Sequence, residues 1–442
     1  MASYPQILKP LYNIFNPTRP LEVGDPGYVD CQKVRGDVNL VEELSQEIIL
    51  ADEYTCQLYT GHRGGGKSTE LKRLVHYLEE QGYQVVYFDV LEDVDPEDVS
   101  YTDILIACTR RLLTALKGNT RSIKAWFEDR AESLKQLAMT SIEKGDSAIG
   151  FFSQLTTNLK AVPTLRYKIR QEVEPHTPKL LEVLNEFIAS AQPDQADRLV
   201  LIVDSLERIV PVINSTSERV NYDEIFLDRS EQLKGLKCHV IYTIPISMQY
   251  SGSASQLQNC YSSRVKVLPM VKMRERGSRE PYLPGIAAFK ELISKRLQQV
   301  LPQGTLLDLF ADEEIVTELC LASGGNAREL VHLLRDTLKF ARGLPLSAQT
   351  VQRAIAELRE VYRRMIFEDH WQMLAEVYVN QEMPNRDEYR KLLYDRCLLE
   401  YRQLDEATQN ISSWHDVHPL IVATEKFQVE GLIYSRFRKI SE

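Results

Sequence analysis

Nine residues, Gly61-His62-Arg63-Gly64-Gly65-Gly66-Lys67-Ser68-Thr69, have the types and spacing of a phosphate cradle. They fit G-x-x-x-x-G-K-[ST], the P-loop pattern. Glycines let successive backbone N–H groups turn inward onto phosphate oxygens, because no Cβ stands in the way. Lys67 is expected to reach the β- and γ-phosphates of a nucleotide, and Ser68 to ligate Mg²⁺. The flanks agree with this reading. Gln57-Leu58-Tyr59 read as the end of a strand, and Ser68 to Glu80 as a helix with Leu71, Leu74 and Leu78 on one face. A helix beginning at the loop adds its partial positive charge. ATP with Mg²⁺ is the expected ligand. Its binding set is Gly61 to Thr69, joined by Val34 and Arg35.

A second group of residues gives the first its chemistry. Arg198-Leu199-Val200-Leu201-Ile202-Val203-Asp204 is an apolar run closed by a carboxylate. It reads as a parallel strand buried on both faces, with Asp204 at the strand end where open α/β sheets bind ligands. Asp204 is expected to hold Mg²⁺ through water, opposite Ser68. The next residue, Ser205, cannot serve as a base at neutral pH. Glu207 follows, and reaches the γ-phosphate if the strand end turns sharply; otherwise it pairs with Arg208. Thr243 closes a later strand, where its hydroxyl meets the γ-phosphate or bonds its own loop. Arg328, opening a helix after Gly324-Gly325-Asn326, is either a γ-phosphate contact or an ordinary surface arginine.

These residues need a scaffold, and the rest of the chain supplies its pattern. Residues 1 to 24, with four prolines, read as an extended arm lying on the core. An amphipathic helix follows from Asn39 to Leu50, its apolar face Leu40, Leu44, Ile48 and Ile49. Gln84 to Val90 is a second, largely buried strand and Tyr101 to Leu116 a helix. Residues 118 to 177 interrupt the rhythm with helical segments separated by Gly145, Gly150 and Pro163, either a movable partner-binding element or decoration. Lys179 to Ala191 is a helix, Lys237 to Thr243 a fourth strand and Arg264 to Leu268 a fifth. After Pro284 the pattern is wholly helical through Arg364. From residue 365 the pattern mixes helices with a strand pair, Cys397 to Tyr401 and Val422 to Phe427, which reads as a winged helix. A structured turn is placed before the second of these strands, with Trp414 in the core.

Bulk properties exclude several classes. The chain has 442 residues, 43% hydrophobic and 26% charged, enough for two or three globular domains. No apolar run approaches the ~18 residues of a membrane span. Met1 to Leu21 lacks a signal-peptide pattern, so the expected location is cytoplasmic. Seven scattered cysteines without a C-x-x-C pair read as reduced thiols. A net charge of −10 argues against constitutive nucleic-acid binding. Acids also outnumber bases from Asp369 on, so duplex DNA is not favoured as a partner.

Taken together, the P-loop, the strand ending in Asp204, the strand ending in Thr243 and the Gly-Gly-Asn-Ala-Arg helix start resemble an AAA+ ATPase of the origin-recognition and STAND-like kind. The run Asp204-Ser205-Leu206-Glu207-Arg208 is similar to the Walker B of KAP-type P-loop ATPases. The resemblance implies a doubly wound parallel-sheet P-loop ATPase core (residues 1 to 270, with the insertion), a helical lid (271 to 364) and a C-terminal winged-helix-like domain (365 to 442). It implies a sensor-1 role for Thr243 and a sensor-2 role for Arg328, and places Ser205 where the family's catalytic acid usually stands. It also implies an arginine donated to a neighbouring subunit, with Arg229, Arg274, Arg276 and Arg279 as candidates. The expected activity is nucleotide-controlled switching toward a protein partner or a second copy of the chain.

Overall fold

The computed structural model describes residues 4–128, 148–191, 198–213, 219–250, 252, 254–405 and 407–430. Five strands form one sheet: β1 (Cys56–Gly61), β2 (Gln84–Asp89), β3 (Leu199–Asp204), β4 (His239–Thr243) and β5 (Lys266–Leu268). Their order is β2-β3-β4-β1-β5 and every neighbouring pair is parallel. Parallel neighbours need crossovers, so helices cover both faces of the sheet. On one face Leu58, Phe88, Leu201, Val203 and Tyr242 pack against the helices Tyr101–Ala115, Ala148–Ala161 and Thr177–Ala191. On the other, Tyr59, Val200, Ile202 and Ile241 meet the two helices that flank β1. Successive residues of β3 thus enter opposite cores, which is why its apolar run is unbroken. The core is a doubly wound α/β fold. β2 lies at the sheet edge, with Val86 and Phe88 buried on one face and Val85 and Tyr87 half-buried on the other.

Three helices position the loop. The first, α1 (Tyr4–Ile14), corrects the extended arm expected there. Its apolar stripe continues into Phe15, and Leu11 and Phe15 are fully buried against the lid. That packing outweighs the single backbone bond lost at Pro10. The second, α2 (Leu40–Ile49), is capped by the Asn39 side chain, which accepts from the Glu42 N–H. Leu40, Leu44 and Ile48 are buried as expected, but Ile49 faces solvent. The third, α3 (Lys67–Glu80), begins at the glycine loop and buries Leu71, Leu74 and Leu78.

The interruption after residue 118 is built into the core. Trp126, Phe151, Phe152 and Leu155 join the main apolar cluster. Gly150 lies inside the helix Ala148–Ala161 and is not a separator; Pro163 opens the helix Pro163–Val173. Gly145 is outside the described residues. Arg166 and Arg170 of that last helix bind Asp95 and Asp98 at 2.7 to 2.9 Å.

The lid consists of the helices Leu283–Gln298, Leu306–Leu309, Glu313–Ala322, Ala327–Phe340 and Ala348–Met365. Beyond it, two helices precede an antiparallel hairpin, β6 (Leu398–Leu404) and β7 (Ile411–Val417). The second strand was expected at Val422 to Phe427, but Pro419–Val422 is helical. The real strand is polar at Ser412, Ser413 and Asp416, which hides it from an apolar-run reading. Trp414 is in this strand and not in a turn, buried and stacked on Tyr401 at 5.6 Å. One apolar core runs from Leu11 and Phe15 through Phe289 and Leu334 of the lid to Trp371, Tyr389 and Val417. Among the described residues no helix is long and apolar enough to cross a membrane.

Candidate functional site

The loop between β1 and α3 takes conformations that its sequence anticipates. Gly64 and Gly66 have φ of 85° and 105°. A Cβ at Gly64 would stand 2.5 Å from the Asn326 carboxamide oxygen, so both the backbone turn and the approach of the lid require glycine. Beneath the loop, the buried Arg35 donates from Nη2 to the Gly65 carbonyl at 2.7 Å, while its Nε and Nη1 have no partner. Val34 is placed differently: its side chain packs into the lid core, its carbonyl accepts from the Lys272 N–H, and it does not line the cleft between loop, lid and arm.

Lys67 is 3% exposed, and its ammonium has three neighbours: the Gly61 carbonyl at 2.9 Å, the His62 carbonyl at 3.1 Å and the Glu207 Oε1 at 3.0 Å. Glu207 reaches it because the end of β3 does turn sharply. Ser205 has φ 73°, and Leu206–Arg208 form one tight helical turn. The Thr243 hydroxyl holds that turn by accepting from the Leu206 N–H at 2.9 Å. Thr243 is therefore seen positioning Glu207, and is itself fully buried. Asp204 accepts from the Tyr87 hydroxyl and from the Ser205 N–H, both at 2.7 Å, and Ser68 bonds it from the head of α3.

The electrostatics of the two carboxylates differ. Burial and the neighbouring Glu207 charge raise the Asp204 pKa, more than the hydrogen bonds to it offset. Burial pushes Glu207 upward, but Lys67 beside it and hydrogen bonds from its own backbone and from Thr243 together leave it below the ordinary range. Glu207 is thus ionised at neutral pH, and its Oε2 has no partner. A hydroxyl and a carboxylate side by side are oxygen donors that suit a hard cation, so Ser68 and Asp204 fit Mg²⁺.

The lid closes the other side. Asn326 Nδ2 donates to the Arg63 carbonyl at 2.8 Å, and the Arg328 N–H to the Gly64 carbonyl at 3.2 Å. The Asn326 side chain also caps its own helix by accepting from the Glu329 N–H. Between loop, lid and N-terminal arm lies a cleft that is half open to solvent. Gly64 to Thr69, Arg35, Glu207 and Arg328 line it, and so does an apolar part, Tyr28, Val29, Phe289, Leu292 and Val331, which Arg19 and Arg296 accompany. Polar loop groups and apolar side chains in one cleft are what a nucleotide's phosphates and base require. The apolar part was not foreseen. Its residues lie far apart in sequence and read singly as core. Thr69 also joins the arm, accepting from the Leu21 N–H at 3.3 Å.

His62 and Arg63 face away from the cleft. The His62 Nε2 accepts from the Glu400 N–H of β6 at 2.9 Å, and the Arg63 guanidinium stacks on Tyr394 at 4.1 Å. Burial, with His415 and Lys67 nearby, holds the His62 pKa well below its ordinary value. The loop is therefore gripped by the C-terminal unit on the side opposite the cleft. His415, Asp416 and His418 diverge, toward Tyr250, Arg279 and Glu329 respectively. Among the described residues no three or more His, Cys, Asp or Glu side chains gather as a metal site. Of the arginines considered for a neighbouring subunit, Arg229 pairs with Glu174 on the surface, Arg276 lies near Glu382 and Arg279 binds Asp416; Arg274 donates to the Arg279 carbonyl.

A glycine loop at the end of β1, a carboxylate at the end of the adjacent β3–β4 pair and a helical lid define a P-loop α/β core. Among solved structures the chain is similar to the ORC1 protein of Aeropyrum pernix in complex with DNA, at 10% identity and a TM-score of 0.38 over 97% of this chain and 98% of that one. It is similar to Cdc6p of Pyrobaculum aerophilum, at 11% identity and a TM-score of 0.40 over 97% and 98%. It is also similar to a Walker-type ATPase of Pyrococcus abyssi, at 14% identity and a TM-score of 0.39 over 94% and 99%. No protein-family model matches the sequence, and no curated protein matches it.

Proposed function

We propose that this chain is an ATP-binding and ATP-hydrolysing switch of the AAA+/STAND kind. The observation that carries the reading is the Lys67 ammonium, 3.0 Å from Glu207 and set over a glycine loop that the lid touches at Gly64. ATP phosphates in the loop would draw Lys67 from Glu207, because a polyphosphate offers it more negative charge. Glu207, held by its turn and already ionised, would then orient water and take its proton. The water oxygen joins the γ-phosphorus, and the bridging oxygen leaves with ADP. Bound Mg²⁺ would neutralise charge on the β- and γ-phosphates, held by Ser68 and Asp204. Arg328 would report phosphate to the lid.

The same loop is bonded to the lid through Asn326 and Arg328 and to the C-terminal hairpin through His62. A ligand that shifts the loop shifts both, which is the coupling a switch requires. The surface it would control is read as one for a protein partner or a second copy, in keeping with the acidic C-terminal unit. The test is calorimetric titration of MgATP into the unsubstituted chain and Lys67→Ala. Tight binding to the first and loss of about 100-fold or more in a folded Lys67→Ala protein is expected. Equal binding by both would remove the reading.

A further inference from the structure

Beside the P-loop lies a second cavity, partly open to solvent, that shares Arg328 with the nucleotide cleft. Arg63, Arg208, Arg328 and Arg396 line it, with His332, and on its acidic side Glu329 and Asp336. The acids are already engaged. Glu329 binds His418 and Arg396, and Asp336 pairs with Lys339. Arg63, Arg208 and Arg328 have no ion pair among the described residues; Arg63 is stacked on Tyr394 and reaches only the Arg208 carbonyl, at 3.4 Å. Arg63 and Arg328 are half-buried and Arg208 is exposed, so the three guanidiniums line one cavity with like charges that solvent only partly screens. The Arg328 pKa is lowered by burial and then by Arg208, Arg396 and Arg63, against only Glu207. An anion is the group that would relieve this arrangement.

We propose that this cavity is a second anion site, and that its ligand is the orthophosphate released from the nucleotide cleft. Three features select orthophosphate. Arg328 lines both cavities, so it forms a wall common to the two. The other arginines come from the P-loop itself (Arg63) and from the turn that carries Glu207 (Arg208), so the cavity is built from the parts that would handle the γ-phosphate. Guanidinium forks converging from several elements suit a tetrahedral oxyanion better than an extended chain. The release route rests on the proposed hydrolysis; the anion site itself does not.

Calorimetric titration of inorganic phosphate, at constant ionic strength set with chloride, tests it on the full chain. Three proteins are compared, each with and without saturating MgADP: unsubstituted, Arg208→Gln and Lys67→Ala. Phosphate should bind the unsubstituted chain even when MgADP fills the cleft. Arg208→Gln should weaken that binding tenfold or more and leave MgADP affinity within twofold. Lys67→Ala should lose MgADP and keep phosphate. If MgADP fails to bind but phosphate binds through Arg208, the anion site stands and the nucleotide reading falls. Phosphate binding that survives Arg208→Gln, disappears in Lys67→Ala, or is absent throughout overturns the proposal. So does a cavity that takes duplex DNA or an acidic peptide through Arg208 but not phosphate.

Discussion

Two buried clusters of charge flank the first turn of the lid helix Ala327–Phe340, and they are completed to different degrees. Around Glu329 every valence is answered. Its carboxylate accepts from the Tyr362 hydroxyl, lies 2.7 Å from the His418 Nε2 and 3.2 Å from Arg396, and Tyr362 stacks on His418 at 4.3 Å. Burial alone would raise its pKa, but His418 and Arg396 bring it down to about 2. Around Lys67 the valences are left open. Glu207 Oε2 and two nitrogens of Arg35 have no partner, and Asp204 is held beside a like charge. Buried polar groups are normally satisfied, and a saturated network fixes one conformation. The first cluster is therefore a fastening between lid and C-terminal unit, and the second a site that a ligand would complete.

The largest expected effect breaks the fastening. Glu329→Gln should cost about 3–5 kcal/mol of stability at pH 7, the range for unpairing a buried charge. Denaturant unfolding monitored by circular dichroism would measure it. Because the folded pKa is depressed, the contribution is present above about 4.5 and is lost as pH falls toward about 2. A cost below about 1 kcal/mol would mean that the apolar core alone joins lid and C-terminal unit.

A smaller effect concerns the grip on the loop. Burial raises Glu400 to about 7, with Tyr250 and Arg402 only partly offsetting it. A carboxyl whose folded pKa lies above its unfolded value stabilises fully below about 4.5 and loses that contribution as pH rises through about 7. His415, pushed down to about 4 by burial, works in the opposite sense, and so does His62. Glu400→Gln removes one titration and leaves the two histidines. Its stability relative to the unsubstituted chain should improve between pH 5 and pH 8 by on the order of 2 kcal/mol. An offset that does not change with pH would show that Glu400 does not titrate in this window.

The smallest stability effect should come from the open cluster. Glu207→Gln also unpairs a buried ammonium, but it leaves Lys67 its two carbonyls and frees Asp204 from a like charge, so the cost should stay under about 2 kcal/mol in thermal unfolding. A cost near that of Glu329→Gln would erase the contrast between the clusters.

The sequence made visible what is local. Gly61 to Thr69 form a contiguous pattern, and the run ending in Asp204 takes its character from burial on both sides of one sheet. Glu207 was legible as a conditional, and Ser205 and Thr243 supply the turn it needed. What could not be read is held by contacts across the chain. His62 meets Glu400, and the cleft's apolar part joins Tyr28 to Phe289. The arm folded as a helix because its stripe found the lid core, and β7 escaped notice because Ser412, Ser413, His415 and Asp416 leave it no apolar run.

The central claim is that the unfinished cluster around Lys67 is finished by ATP and works through Glu207. Single-turnover hydrolysis of MgATP, with binding measured on the same samples, tests it most directly. Glu207→Gln should keep MgATP binding, since Lys67, Ser68 and Asp204 are untouched, and slow hydrolysis by roughly 100- to 10,000-fold. Hydrolysis within about twofold of the unsubstituted chain, or no hydrolysis by either protein, would contradict the account.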